Sequence, residues 1–322
     1  MTHIKANIDV TGDPHQYAYR ENRSTEDAIS SVVHTALTHL ESCEDPQQSV
    51  RIHNISSSII ILSTGSPQGC VLSPLLFTLL TYDCSAVHPG CHIVKFADDT
   101  AVVGSITNSD ESGYRQEVEH LERWCSENNL CINVKKTKEV IVDFRRRSTI
   151  PPLPLHIGGS AVEVVSSYRY LGVHLSNNLT WSNNTSSLIR KAHQRLYFLR
   201  RLRRAGLGSS VLTSFYRCVV ESVLCSGITV WHGSCSVAER KALQSVVKAA
   251  QRTVGVSFPT TMDIYTSRCK KRATSIMKDP THPAHTLFVP LPSGRRLRSI
   301  RTKTTRLRNN FFPEAVRLLN CN

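Results

Sequence analysis

A chain of 322 residues, 40% of them hydrophobic, suits one large or two to three small domains and is too apolar to be a disordered chain. The formal net charge of +14 is unevenly placed: residues 1–189 hold 14 Lys/Arg against 20 Asp/Glu, whereas residues 190–322 hold 25 against 5. A half that basic, net +20, is an electrostatic footprint for nucleic acid, with an anionic membrane as the weaker alternative. The most apolar run, Val71–Leu80, is far too short to span a bilayer.

In chain order, residues 1–12 read as a loose start. Ser24-Thr-Glu-Asp27 followed by Ile29, Val32, Val33, Ala36, Leu37 and Leu40 predicts a capped amphipathic helix. An acidic join, Glu41 to Gln48, precedes Ser49–Leu62, whose β-branched content predicts strands. Gly65–Gly69 is a loop, and Leu72–Tyr82 reads as a helix that tolerates Pro74 near its first turn. Ile93–Phe96 and Ala101–Val103 then flank Asp98 and Asp99, which predicts a hairpin with both carboxylates at its turn. Adjacent like charges repel unless they face open water or a cation, and hard cations such as Mg²⁺ take carboxylate oxygens together with substrate phosphates. Taken alone, this stretch reads as a solvated turn.

A helix should follow, capped at Asn108-Ser109-Asp110 and reaching about Asn128, with Tyr114, Val118, Leu121, Trp124 and Cys125 on one face. Ile132–Phe144 reads as a strand region and Tyr168–Leu175 as a small hairpin. From Leu188 the period is helical, with Leu188, Ala192, Leu196, Leu199 and Leu202 on one face and Arg190, Lys191, Arg195, Arg200, Arg201, Arg203 and Arg204 around it. Gly206 and Gly208 end that helix, and Val211–Val223 and Val237–Thr253 predict two more. The stretch from Arg268 to Arg317 is basic, is broken by prolines at 280, 283, 290 and 292, and carries Phe311 and Phe312. Arginine beside aromatic rings suits stacking on single strands, although a basic tail equally serves nuclear import.

The eleven cysteines include no Cys-x-x-Cys, so a zinc ribbon or finger has little support, and Cys84, His88, Cys91 and His92 lack the paired spacing of a tetrahedral site. An odd count without a leader-like segment predicts reduced thiols in an intracellular setting, the nucleus with a cytoplasmic pool.

Gly65-Ser66-Pro67-Gln68-Gly69, the Phe96-Ala-Asp98-Asp99 stretch, Asn133-Val-Lys-Lys136-Thr137-Lys138 and Tyr170-Leu171-Gly172 occur in an order and at spacings that closely resemble the palm of reverse transcriptases from non-LTR (LINE-type) retrotransposons. The resemblance runs from Asp13 to the basic C-terminal segment. It implies an α+β polymerase fold: a truncated fingers segment (1–62), a palm of antiparallel sheet backed by helices (63–175), a helical thumb-like region (176–255) and a basic C-terminal segment (256–322). It also implies an RNA-directed DNA polymerase working on an RNA template, a DNA primer and dNTP with two Mg²⁺. On that reading Asp98 and Asp99 are metal ligands, Lys136 meets the nucleotide phosphates, and Gln68 and Gly69 lie under the nucleotide and templating base. Arg20 and Arg23 approach phosphate, or are solvated charges before a helix. Tyr170, Leu171 and Gly172 form the primer grip, and the basic helix from Arg190 to Arg204 tracks nucleic-acid phosphates.

One departure matters. The family's third catalytic carboxylate ends a strand in an apolar-Asp-Tyr/Phe-Ser-x-Ala-Phe pattern, and no such pattern lies between Leu40 and Ser63 or elsewhere. The chain therefore reads as internally truncated, with impaired activity expected and an inactive nucleic-acid-binding remnant or a translated pseudogene fragment as the alternatives. Trp181–Val223 also resembles a helical segment at the N-terminus of AlkB-homologue alkylated-DNA-repair proteins. That family's iron chemistry needs a His-x-Asp pair, and no histidine here precedes Asp by two residues.

Overall fold

A computed structural model describes residues 47–48, 51–52, 55–58, 60–61, 72–145 and 153–321. The chain divides into two compact units, Met1–Ile132 and Asn133–Asn322. The helix expected at Ser24–Leu40 lies outside the described residues.

In the first unit the β-branched stretch forms short antiparallel pairs, Gln47–Gln48 with Ile60–Ile61 and Arg51–Ile52 with Ile55–Ser56. Helix α1, Leu72–Leu80, follows with Pro74 at its third position, where a missing amide costs little. Strands β1 (Cys91–Phe96) and β2 (Asp99–Gly104) pair antiparallel from Cys91 with Gly104 to Phe96 with Asp99, which leaves Ala97 and Asp98 as a two-residue turn. Ala97 takes φ 51°, an uncommon left-handed value for a residue with a side chain. Helix α2, Ser112–Glu127, covers one face of this hairpin. Its contact is close at Gly104, where an added Cβ would stand 2.8 Å from the Tyr114 ring.

The second unit is helical with small sheets. The strand expected over Ile132–Phe144 shrinks to Lys138–Glu139, paired parallel with Glu163–Val164, because Asn133 folds the preceding residues into a turn: its carbonyl accepts the Lys136 and Thr137 amides at 3.0 Å. Strands β3 (Ser167–Tyr170) and β4 (Val173–Ser176) form the expected hairpin. Among the described residues every sheet is two-stranded, so the architecture is a mixture of helices and small sheets, consistent with an α+β class.

Helix α3, Ser182–Arg204, buries Leu188, Ala192, Leu196 and Leu199, the face its period predicts. Helix α4, Ser209–Phe215, runs into a π turn, Tyr216–Glu221, whose Tyr216 is fully buried and stacks on Phe258 at 4.0 Å between ring centroids. Helix α5, Val237–Val254, starts with a capping box between Ser236 and Glu239 and stops at Gly255 (φ 81°). Helices α6, Thr261–Lys278, and α7, Phe311–Asn320, complete a single core that runs from Leu188 to Val316.

The aromatic side chains of the C-terminal helix pack into or against this core, while exposed arginines lie over rings at its surface. Phe311 is 4% exposed, with the Arg272 guanidinium 4.4 Å above its ring, and Arg306 covers Phe144 at 4.5 Å. Phe311, Ala315 and Val316 lie on one helical face, so packing takes the rings that composition had suggested for single-strand stacking. Among the described residues no single helix is long and apolar enough to cross a membrane.

Candidate functional site

Local pairing alone presents the two carboxylates. In-register pairing up to Phe96 and Asp99 puts Asp98 in the turn and Asp99 at the start of β2, both exposed. Two anchors hold this hairpin. The Lys95 ammonium donates to the carbonyl of Thr81, just past the C-terminus of α1, and to that of Cys84 at 2.8 Å. From below, the fully buried Glu117 of α2 accepts the amides of Val87 and His88 at 2.9 and 2.7 Å through Oε2, while its Oε1 lies 3.5 Å from His120 Nδ1. These amides lie in the segment that feeds β1, and the Cys91 amide then donates to the His88 carbonyl at 3.1 Å. Sequence reasoning missed both anchors. The signal for Glu117 was an acid set within the apolar face of Tyr114, Val118 and Leu121.

Asp98 and Asp99 carry hard oxygen donors of the type that divalent cations take together with phosphate oxygens. Among the described residues no group of three or more His, Cys, Asp or Glu is placed to hold a metal, and this includes Cys84, His88, Cys91 and His92. Burial pushes the Cys84 and Cys91 thiols up, so both are poor thiolate ligands.

Lys136 belongs to the second unit, exposed on the Asn133 turn, while its neighbour Lys138 is paired with Glu163. Gln68, Gly69, Arg20 and Arg23 lie outside the described residues. Tyr170, Leu171 and Gly172 are brought together at the turn between β3 and β4. Leu171 at φ 46° and Gly172 at φ 86° both take the left-handed values of a two-residue turn whose twist matches the strands. A leucine there is strained, and it is 46% exposed.

Beside this hairpin, Ser167, His174, Asn183 and Arg190 line a polar cleft of about 440 Å³. Burial first, then the charges of Arg169, Lys191 and Arg190, hold the His174 pKa below its ordinary value. The positive field continues along α3. Arg190, Arg200, Arg201, Arg203 and Arg204 are exposed, and Lys191 and Arg195 are half-buried. Arg195 donates to the Val219 carbonyl at 2.6 Å, so its guanidinium is fixed against the π turn.

The reverse transcriptase (RNA-dependent DNA polymerase) family matches residues 20–175, and the N-terminal family of alkylated DNA repair protein alkB homolog 8 matches residues 181–222. The chain is 25% identical over 280 residues to a probable RNA-directed DNA polymerase from transposon BS of Drosophila melanogaster, covering 81% of this chain and 31% of that protein. It is 25% identical over 214 residues to the probable RNA-directed DNA polymerase from transposon X-element of the same fly, covering 64% and 23%. It is also 28% identical over 148 residues to that of the mobile element jockey, covering 43% and 16%. The chain thus spans less than a third of the length of these relatives. No solved structure gives a significant match. Over residues 20–175 the chain is similar to the reverse transcriptases, and the relatives it resembles are RNA-directed DNA polymerases of non-LTR retrotransposons.

Proposed function

We propose that this chain is a truncated non-LTR reverse transcriptase that binds RNA template and DNA primer through its basic second unit and incorporates little or no dNTP. The observation that supports this reading is the exposed Asp98–Asp99 hairpin, anchored by Lys95 and Glu117 and lying within the residues that match the reverse transcriptase family. Mg²⁺ held there would neutralise phosphate charge and favour an ionised primer hydroxyl. Asp98 would be the principal ligand and Asp99 its auxiliary. Lys136 meets the nucleotide phosphates, Gln68 and Gly69 seat the base pair, and Tyr170, Leu171 and Gly172 grip the primer. Fingers remain in 1–62, palm in 63–175, and thumb-like helices in 176–255 together with the basic segment 256–322.

The third carboxylate is the missing part. Without its Asp-bearing strand, one Asp pair supplies only part of a two-metal site. The chain should therefore give no Mg²⁺-dependent extension of a primed RNA template above background. Template-dependent incorporation that disappears in Asp98→Ala would overturn the impairment and leave a working polymerase.

A further inference from the structure

We propose that the groove between α3 and the π turn binds unpaired bases of a single-stranded nucleic acid. This deepens the nucleic-acid reading of the second unit and rests on it. The groove encloses about 740 Å³ and is lined by Arg195, Phe198, Arg201, Leu202, Phe215 and Cys218, among others. That volume lies in the range of about 300–1,000 Å³ that accepts a compact organic ligand.

Its chemistry selects the occupant. Phe198 is 55% exposed and Tyr197, next to it, is 52% exposed, with ring centroids 5.5 Å apart and edge to face. Two adjacent exposed rings on a helix whose buried face is otherwise satisfied are available for contact. Guanidinium groups frame them. Arg201 donates to the Tyr197 hydroxyl at 3.3 Å and lies 5.9 Å from that ring centroid, while Arg195 is pinned to Val219. From residue 190 to 222 the sole acid is Glu221. Apolar walls beside exposed aromatic rings and a cationic rim suit bases and phosphates of one strand, because every base has a π face and every phosphate a charge. A duplex hides its base faces and engages arginines alone. An acidic peptide also suits the charge, but it gives no reason for two adjacent aromatic rings.

The test uses the full chain and fluorescent oligo(U), oligo(dT) and a blunt duplex of equal length at fixed salt. Phe198→Ala and Tyr197→Ala should each lower single-strand affinity by about 5- to 100-fold and leave duplex affinity unchanged. Phe198→Trp should retain or raise single-strand affinity, and it keeps the test decisive if an alanine variant fails to fold. Oligo(U) should slow iodoacetamide labelling of Cys218, with the exposed Cys131 and Cys321 as internal references. Unchanged single-strand affinity in Phe198→Ala overturns the proposal while the nucleic-acid reading stands. So does an equal loss on single strand and duplex, or protection of Cys218 by an acidic peptide and not by oligo(U). If the parent chain binds none of the three probes, the broader reading falls with it.

Discussion

Replacing Glu117 with alanine tests whether the Asp hairpin is held from beneath. In the folded chain this carboxylate is fully buried and accepts two backbone amides, from Val87 at 2.9 Å and His88 at 2.7 Å. A hydrogen bond to a charged group contributes about 1.5–3 kcal/mol, and a buried donor left without a partner costs about 1–3 kcal/mol. Two amides lose their acceptor at once, so Glu117→Ala should destabilise the segment by about 3–5 kcal/mol, against a typical domain stability of about 5–15 kcal/mol. Glu117→Gln keeps a carbonyl acceptor and should cost about 1–2 kcal/mol. The assay is native-state hydrogen exchange, because the loss should be local. The Cys91 amide, bonded to His88, and the Ser105 amide, bonded to Gly90 at 2.9 Å, close the open end of the hairpin. At about 1.4 kcal/mol per decade their exchange should quicken by roughly two to three and a half orders of magnitude in the alanine variant and about tenfold in the glutamine variant. Amides of the second-unit core, such as Leu196 and Val246, should be unaffected. Parental exchange at Cys91 and Ser105 in Glu117→Ala would refute the reasoning.

Gly104→Ala should destabilise the first unit by about 1–3 kcal/mol, since the new Cβ meets the Tyr114 side chain at 2.8–3.0 Å, and Tyr114→Ala should recover much of the loss in urea titrations. Burial, and then the charge of Arg240, push the His232 pKa from 6.5 down to about 4 in a pocket shared with Thr261 and Tyr265. The unfolded chain therefore takes the proton first, so stability is full above about pH 6.5 and falls as pH drops toward 4, by up to about 3 kcal/mol. A pH-independent melting temperature between 4.5 and 7, or one unchanged in slope by His232→Gln, counts against this. Binding to nucleic acid should weaken with salt with a log–log slope of roughly −4 to −5, as expected if about six phosphates are neutralised, and a slope near zero would exclude the basic face as the contact.

Much of this protein is legible along the chain because the deciding interactions are local. The apolar runs on either side of Asp98 and Asp99 dictate a hairpin, and its turn end must then carry Asp98 in the turn and Asp99 at the first strand position. The 3.6-residue period dictates that α3 buries Leu196 and Leu199 and leaves its arginines outside. The motif order carries the resemblance to reverse transcriptases for the same reason, since it needs only spacing. Tertiary structure decided what depends on distant partners. Ile132–Phe144 has the composition of a strand, yet a strand needs a neighbour to take its amides, and just Lys138 and Glu139 find one. An acid on an apolar helix face is unreadable until the Val87 and His88 amides arrive to need it. Arginine and aromatic rings occur together in both α3 and the C-terminal stretch. Only packing separates them: Phe311 fills the core beside Ala315 and Val316, whereas Tyr197 and Phe198 lie on the face of α3 that the core leaves uncovered.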